Sequence, residues 1–195
     1  MSSVRERDFA SLVLRLTIGP MLIAHGYNKV FGPGGLEGTT RWFNGLGLRP
    51  GWLHARVAAA TEIGSGSLIT LGALSPLPSA AVVGLMTTAA RTDHKGKGFF
   101  VFKGGWEYVA VVAAAATALA GLGSGPFSVD RLLGRRGGSG IKGALLAAAT
   151  GVAASTVLLA TSYRPESKAQ AAAQPEAASV DPDASATSAE EQAAS

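Results

Sequence analysis

A chain of 195 residues that is 47% hydrophobic and 15% charged, with 26 glycines and a mean hydropathy of +0.26, is too apolar for an ordinary soluble domain and suits a small polytopic membrane protein. The formal charge of +4 comes from Lys and Arg at the ends of apolar segments and not from one basic block, so membrane flanks explain it and nucleic acid is not expected as a partner. With no cysteine, the chain itself can hold neither a disulfide nor a thiolate-bound zinc or iron–sulfur centre, and any sulfur or redox chemistry needs a partner.

The first apolar segment, residues 9–31, is long enough to cross a bilayer as a helix and follows Arg5 and Arg7. A secretory leader is the competing reading of such a start. Against it, Arg15 interrupts the apolar run and Gly26-Tyr27-Asn28-Lys29 stands where a small-x-small cleavage site belongs, so a retained first span is expected. At about 100° per residue Arg15 and Lys29 differ by about 40° and Arg15 and His25 by about 80°, which puts three basic groups on one stripe that should face protein. Arg15 lies about 21 Å along the helix from Lys29, and is expected to snorkel or pair separately.

A Gly- and Pro-rich connection follows, crossing the interface with Trp42, Phe43 and Trp52; His54 beside Arg56 reads as a solvated interface residue. The second span is expected over residues 57–77, with Glu62 about one turn inside and Gly64-Ser65-Gly66 forming a small-residue packing face. Residues 79–90 are short for a crossing and reach about 20 residues only by continuing through Arg91, Thr92, Asp93 and His94. A basic loop with Lys95, Lys97 and Lys103 carries interfacial Phe99, Phe100 and Phe102. The fourth span starts near Gly104-Gly105-Trp106-Glu107-Tyr108 and runs to about Gly123. After a polar connection with Arg131, Arg135 and Arg136, a fifth span of Ala, Val, Leu and Gly covers residues 141–163 and serves packing. From 164 to 195 the chain is an acidic Ala/Ser/Glu-rich tail too poor in large apolar residues to bury a core, and it is expected to be disordered.

Short connections make neighbouring spans antiparallel, which sorts ionisable groups by membrane face. His25, Lys29, Glu62, Arg91, His94, Glu107 and Tyr108 all fall on one side. The expected site therefore has His25, Glu62 and His94 exchanging protons, with Lys29, Arg91, Glu107 and Tyr108 binding a small polar or quinone-like molecule. The bland alternative is an ion-pair lock joining the helices, since buried pairs are often scaffolding. His25 and His94 match haem axial ligands only in residue type, so haem is disfavoured; Tyr108 alone is more often an interface anchor, and no metal site is expected. The loops GPGG and GRRGGSG follow no strand, which argues against a phosphate cradle.

Arg15-Leu16, His25-Gly26 with Lys29, Gly47-Leu48, Glu62 followed by Gly64 and Gly66, Leu71-Gly72, His94 and Gly104-Gly105-x-Glu107-Tyr108, in this order among four apolar segments, resemble the DoxX family of small bacterial membrane proteins. The resemblance covers residues 9–130 and implies a four-helix transmembrane bundle. It also implies kinship with the membrane subunit of thiosulfate:quinone oxidoreductase, and a role like that of actinobacterial relatives that assemble with superoxide dismutase and a sulfurtransferase under oxidative stress. The fifth span and tail depart from that pattern.

The expected organisation is an all-α polytopic bundle: a four-span DoxX-like unit at 1–130, a basic connection with an added span at 131–163, and the tail at 164–195. The function expected is that of a subunit of a membrane oxidoreductase complex in the bacterial inner membrane, with quinone as ligand and the N-terminus cytoplasmic. Its partners would be the bilayer, membrane or soluble redox proteins and further copies of itself. Competing readings are a non-catalytic scaffold tethering partners, or a small-solute channel or transporter, the last opposed by the lack of an inverted repeat.

Overall fold

Proline and glycine set where each helix starts and stops. A computed structural model describes residues 2–135 and 140–165, and among these the chain forms helices with no β-strand. They are α1 (Ser2–Phe31), α2 (Gly35–Gly45), α3 (Gly51–Leu71), α4 (Leu77–Arg91), α5 (Glu107–Leu122), the single turn α6 (Val129–Leu132) and α7 (Ile141–Ser162). The disorder expected of the tail, and Arg136 in the preceding connection, lie outside the described residues.

α1 and α3 pack on each other most extensively, and glycine is the reason. A Cβ on Gly66 would stand 2.6 Å from the carbonyl oxygen of Gly19, and one on Gly26 would stand 2.7 Å from Ile63 Cγ1 and 2.9 Å from the Ala59 carbonyl. Such backbone-to-backbone approach is how helices associate where no hydrophobic force separates protein from solvent. Of the expected small-residue face Ser65 and Gly66 are buried, whereas a Cβ on Gly64 would meet nothing within 4 Å.

The segment expected as a plain connection between the first two spans folds into α2. Its glycines bracket the helix rather than interrupt it: Gly34 at φ +82° breaks the chain away from α1, and α2 then turns Thr39 and Phe43 inward and leaves Trp42 outside. α3 likewise begins at Gly51, directly after Pro50, and ends at Leu71 with Gly72 left-handed at φ +67°, so Glu62 lies in the middle of α3 and not near its start. The third apolar stretch stops at Arg91 and does not continue through His94; the loop beyond it folds back, with the amides of Trp106 and Glu107 donating to the carbonyls of Gly98 and Phe99.

α4 is the centre of the bundle, contacting α3, α5 and α7. Its Val82 and Val83 pack into a core with Leu22, Ile69, Val112 and Leu119. Against α7 the contact is again backbone on backbone, since a Cβ on Gly151 would stand 2.6 Å from the Ala80 carbonyl and 2.8 Å from the Gly84 amide nitrogen. The hydroxyl of Thr88 donates to Ser155 Oγ at 2.9 Å beside it. The far end of α7 is tied to the loop after α2: Leu48 and Tyr163 form a bridge, and the Arg49 amide donates to the Ser162 carbonyl.

Among the described residues two helices are long and apolar enough to cross a membrane, residues Glu6–Phe31 of α1 and Ile141–Ser162 of α7. Only 33% and 28% of their apolar windows are buried, whereas the core helix of a soluble fold is mostly buried. Phe9, Val13 and Leu16 on α1 and Leu145, Leu146 and Val157 on α7 face outward, as side chains bathed in lipid do. α1 is a member of the bundle as well, with Arg15 fully engaged inside it. At 15 and 16 residues, α4 and α5 fall below the roughly 20 that a full crossing takes.

Candidate functional site

Because Gly26 lets α3 come close, the side chain one turn further along α1 meets the middle of α3. Lys29 Nζ lies 2.7 Å from Glu62 Oε1. Glu62 is only 5% exposed, and its other oxygen, Oε2, is buried without a hydrogen-bond partner. Leaving a buried carboxylate oxygen bare costs free energy that the Lys29 bond on the opposite oxygen does not recover. His25, exposed on α1, places Nε2 3.3 Å from the hydroxyl of Tyr108 in the first turn of α5, and that hydroxyl is also 3.2 Å from Met21 Sδ. His94 in the loop after α4 has Nδ1 2.6 Å from the Gly104 carbonyl. A carbonyl can only accept, so Nδ1 carries a proton, and Nε2 lies 3.9 Å from Asp93 Oδ2.

These groups border a cleft of about 620 Å³ lined by α1, α2, α3, α4, α7 and the start of α5. α3 and α7 both pack on α4 but not closely on each other, and the cleft lies over α4 with those two helices on its flanks. Along α4 its lining changes from Leu77, Ala80, Ala81 and Gly84 in the first half of the helix to Thr88, Thr92, Asp93 and His94 at and beyond its end. The lining is largely apolar, and His25, Lys29, Glu62, His94 and Tyr108 are among its polar members. A volume of this size suits a small amphipathic molecule.

Five of the seven expected site residues therefore line one cleft; Arg91 and Glu107 do not. Arg91, the exposed last residue of α4, reaches the other way and donates to Thr156 Oγ1 on α7 at 3.0 Å. Glu107 precedes Tyr108 on α5 and so points about 100° away from it, where it accepts from the Val101 amide at 3.0 Å and fixes the preceding loop. The expected balanced cluster of two carboxylates and two cations reduces to one ion pair. His54, expected in solvent, is instead 8% exposed, 3.3 Å from the Arg49 carbonyl, and lines the cleft. Its spacing of eight residues from Glu62 would have shown the shared helix face, had α3 been started at Gly51.

A second polar knot sits at the opposite ends of these helices. Arg15 does not snorkel: it is 4% exposed and donates to the carbonyls of Ile69 (3.1 Å), Thr70 (2.8 Å), Ser124 (2.6 Å) and Phe127 (2.8 Å). Two of these carbonyls belong to the last turn of α3, where the Ile69 carbonyl also accepts from the Gly72 amide, so the guanidinium adds to that cap and fastens the helix to the loop after α5. Asp130, which the sequence did not single out, is 1% exposed and accepts from the amides of Leu74 (2.9 Å) and Ser75 (3.0 Å) and from Ser124 Oγ (2.9 Å). Burial alone would raise its pKa, but these donors and the nearby Arg135 guanidinium outweigh it and hold the carboxyl below the ordinary aspartate value.

Compared with known proteins, residues 10–95 match the family model described as DoxX, a stretch that takes in most of α1, all of α2 to α4, and His94. The Gly104 to Tyr108 motif and the whole of α5 to α7 lie beyond the matched stretch. No curated protein matches the chain, and no solved structure does.

Proposed function

The chain carries a DoxX domain over residues 10–95, and from that premise we propose that it is a multi-pass protein of the bacterial inner membrane whose cleft takes a quinone within an oxidoreductase complex. In this reading α1, α3, α4, α5 and α7 cross in alternating directions, α4 and α5 drawing on their flanking loops for the length that 15 and 16 residues lack; the N-terminus is cytoplasmic, and Lys29, Glu62 and His94 belong to the outer half. The observation that carries the reading is the pairing of an apolar cleft with a buried, unpartnered acceptor, Glu62 Oε2. An isoprenoid ring compound has both the apolar length and the polar head to fill it.

A bound quinone supplies the two-electron acceptor that a chain without cysteine cannot provide, and the electrons come from a partner protein. The chain's own part is to hold the head and move protons. Lys29 and Glu62 offer a donor and an acceptor side by side. His94 Nε2 and the His25–Tyr108 contact are the groups through which protons would pass to or from the head.

Purification in mild detergent followed by mass spectrometry of co-purifying lipophilic molecules tests this reading. A quinone recovered with the wild type and lost from Glu62→Gln is the expected result; its absence from both, with thiol- and oxidant-stress survival unchanged in the variant, would sink the proposal. The tethering alternative is favoured by the exposed aromatic loop of Phe99, Phe100 and Phe102 beside Lys97 and Lys103. In that case crosslinking would recover the same partners from Glu62→Gln as from the wild type.

A further inference from the structure

We propose that the cleft discriminates between the two redox forms of its ligand and binds the dihydroxy, reduced form more tightly than the dione, an inference that rests on the quinone reading above. The ground is the hydrogen-bonding inventory of the groups that face the cleft. Glu62 Oε1 is taken by Lys29 at 2.7 Å, while Oε2 has no donor. At that distance the two side chains form an ion pair, and a carboxylate paired in this way can only accept. His94 also lines the cleft, with its Nδ1 engaged by the Gly104 carbonyl at 2.6 Å. The Tyr108 hydroxyl donates to Met21 Sδ at 3.2 Å and lies 3.3 Å from His25 Nε2, so it already has partners within the protein.

Lys29 is the donor beside that oxygen, with an ammonium that has hydrogens beyond the one given to Glu62. A ring hydroxyl can use both members of the pair, its oxygen accepting from Lys29 Nζ while its hydrogen goes to Glu62 Oε2. A ring carbonyl can use only Lys29 and leaves Oε2 bare. The two forms have the same skeleton and bury the same apolar tail, so the difference between them is the satisfaction of one buried carboxylate oxygen. A hydrogen bond to a charged group makes the expected preference about tenfold or more.

Binding the reduced form tenfold better also raises the midpoint potential of the bound couple, by about 30 mV for two electrons. The site would thus pull electrons onto the ring.

The test uses the full chain in lipid nanodiscs and a short-tailed ubiquinone analogue, decylubiquinone, with its chemically reduced form. Affinities are read from tryptophan quenching, with Trp42 in the cleft lining as the reporter. The expected result is a Kd for the reduced form at least tenfold below that for the oxidised form. Glu62→Gln, which can turn an amide donor toward the ligand, should remove or reverse the preference, and Lys29→Gln/Glu62→Gln, which leaves no lone buried charge, should do the same if the single variant does not fold. Equal affinities in the wild type, or tighter binding of the oxidised form, would overturn this inference and leave the quinone reading standing. Binding of neither form would overturn both.

Discussion

Lys29 illustrates how much one side chain's partner matters. Replacing Lys29 with Met strands the Glu62 carboxylate in a region where it is 5% exposed, at a cost of about 3–5 kcal/mol. Replacing the pair together, Lys29→Met with Glu62→Leu, removes the charge along with its partner and should recover most of that loss. Thermal melting of the purified variants in one detergent checks both, and a double variant as unstable as the single would show that the pair is not the unit assumed here. Asp130 gives a pH signature of opposite origin. Its folded pKa lies below the ordinary value of about 3.9. As pH falls through the interval beneath that value the unfolded chain takes up the proton first, so stability falls with acidification. Above about pH 5 this contribution is complete. Asp130→Asn should lower Tm at neutral pH and flatten the acid limb, as melts from pH 6 downward would register.

Among elements, the helix contacts at α1–α3 and α4–α7 are set by glycines whose roles the sequence pattern does not distinguish. Gly64 and Gly66 look equivalent in the motif, yet one faces open space and the other the Gly19 carbonyl. Gly64→Ala is therefore expected to leave Tm unchanged or raise it slightly, whereas Gly66→Ala should cost about 1–3 kcal/mol by forcing α1 off α3. Equal effects would contradict the packing described. Helix existence was legible because long apolar runs punctuated by Gly and Pro have few other readings, and α7 begins at the expected residue and ends within one of the expected end. Helix α2 was not, since glycines flanking a short helix look the same in sequence as glycines within a loop. The start of α3 was missed for a related reason: His54 and Arg56 read as interface residues, although the first turns of this helix are buried by α2 and its loop. Arg91 and Glu107 show the limit of sorting charges by membrane face. Depth along a helix follows from residue count, but the direction around its axis depends on which neighbour each helix takes, and that is settled by contacts such as Gly84 on Gly151 that only the fold displays.

For the molecule as a whole, a chain without cysteine invites a direct check of its threading. Single cysteines at Lys97, in the loop after α4, and at Arg164, after α7, should react with a membrane-impermeant maleimide on intact spheroplasts; one at Leu132, in the connection between α5 and α7, should react only after lysis. The reverse pattern would invert the proposed orientation, and labelling of all of them from one side would reject five crossings.

The tie between the Leu48 loop and Tyr163 bars the space between α3 and α7 at one extremity, and the glycine seam holds α7 fast against α4. In the quinone reading, the flank left between α3 and α7 gives onto the acyl chains. A visitor using it never travels through water, so occupancy follows its mole fraction in the surrounding lipid and not its bulk concentration. Diluting the proteoliposomes should leave saturation untouched, while adding ligand-free phospholipid that fuses with them should empty the cleft.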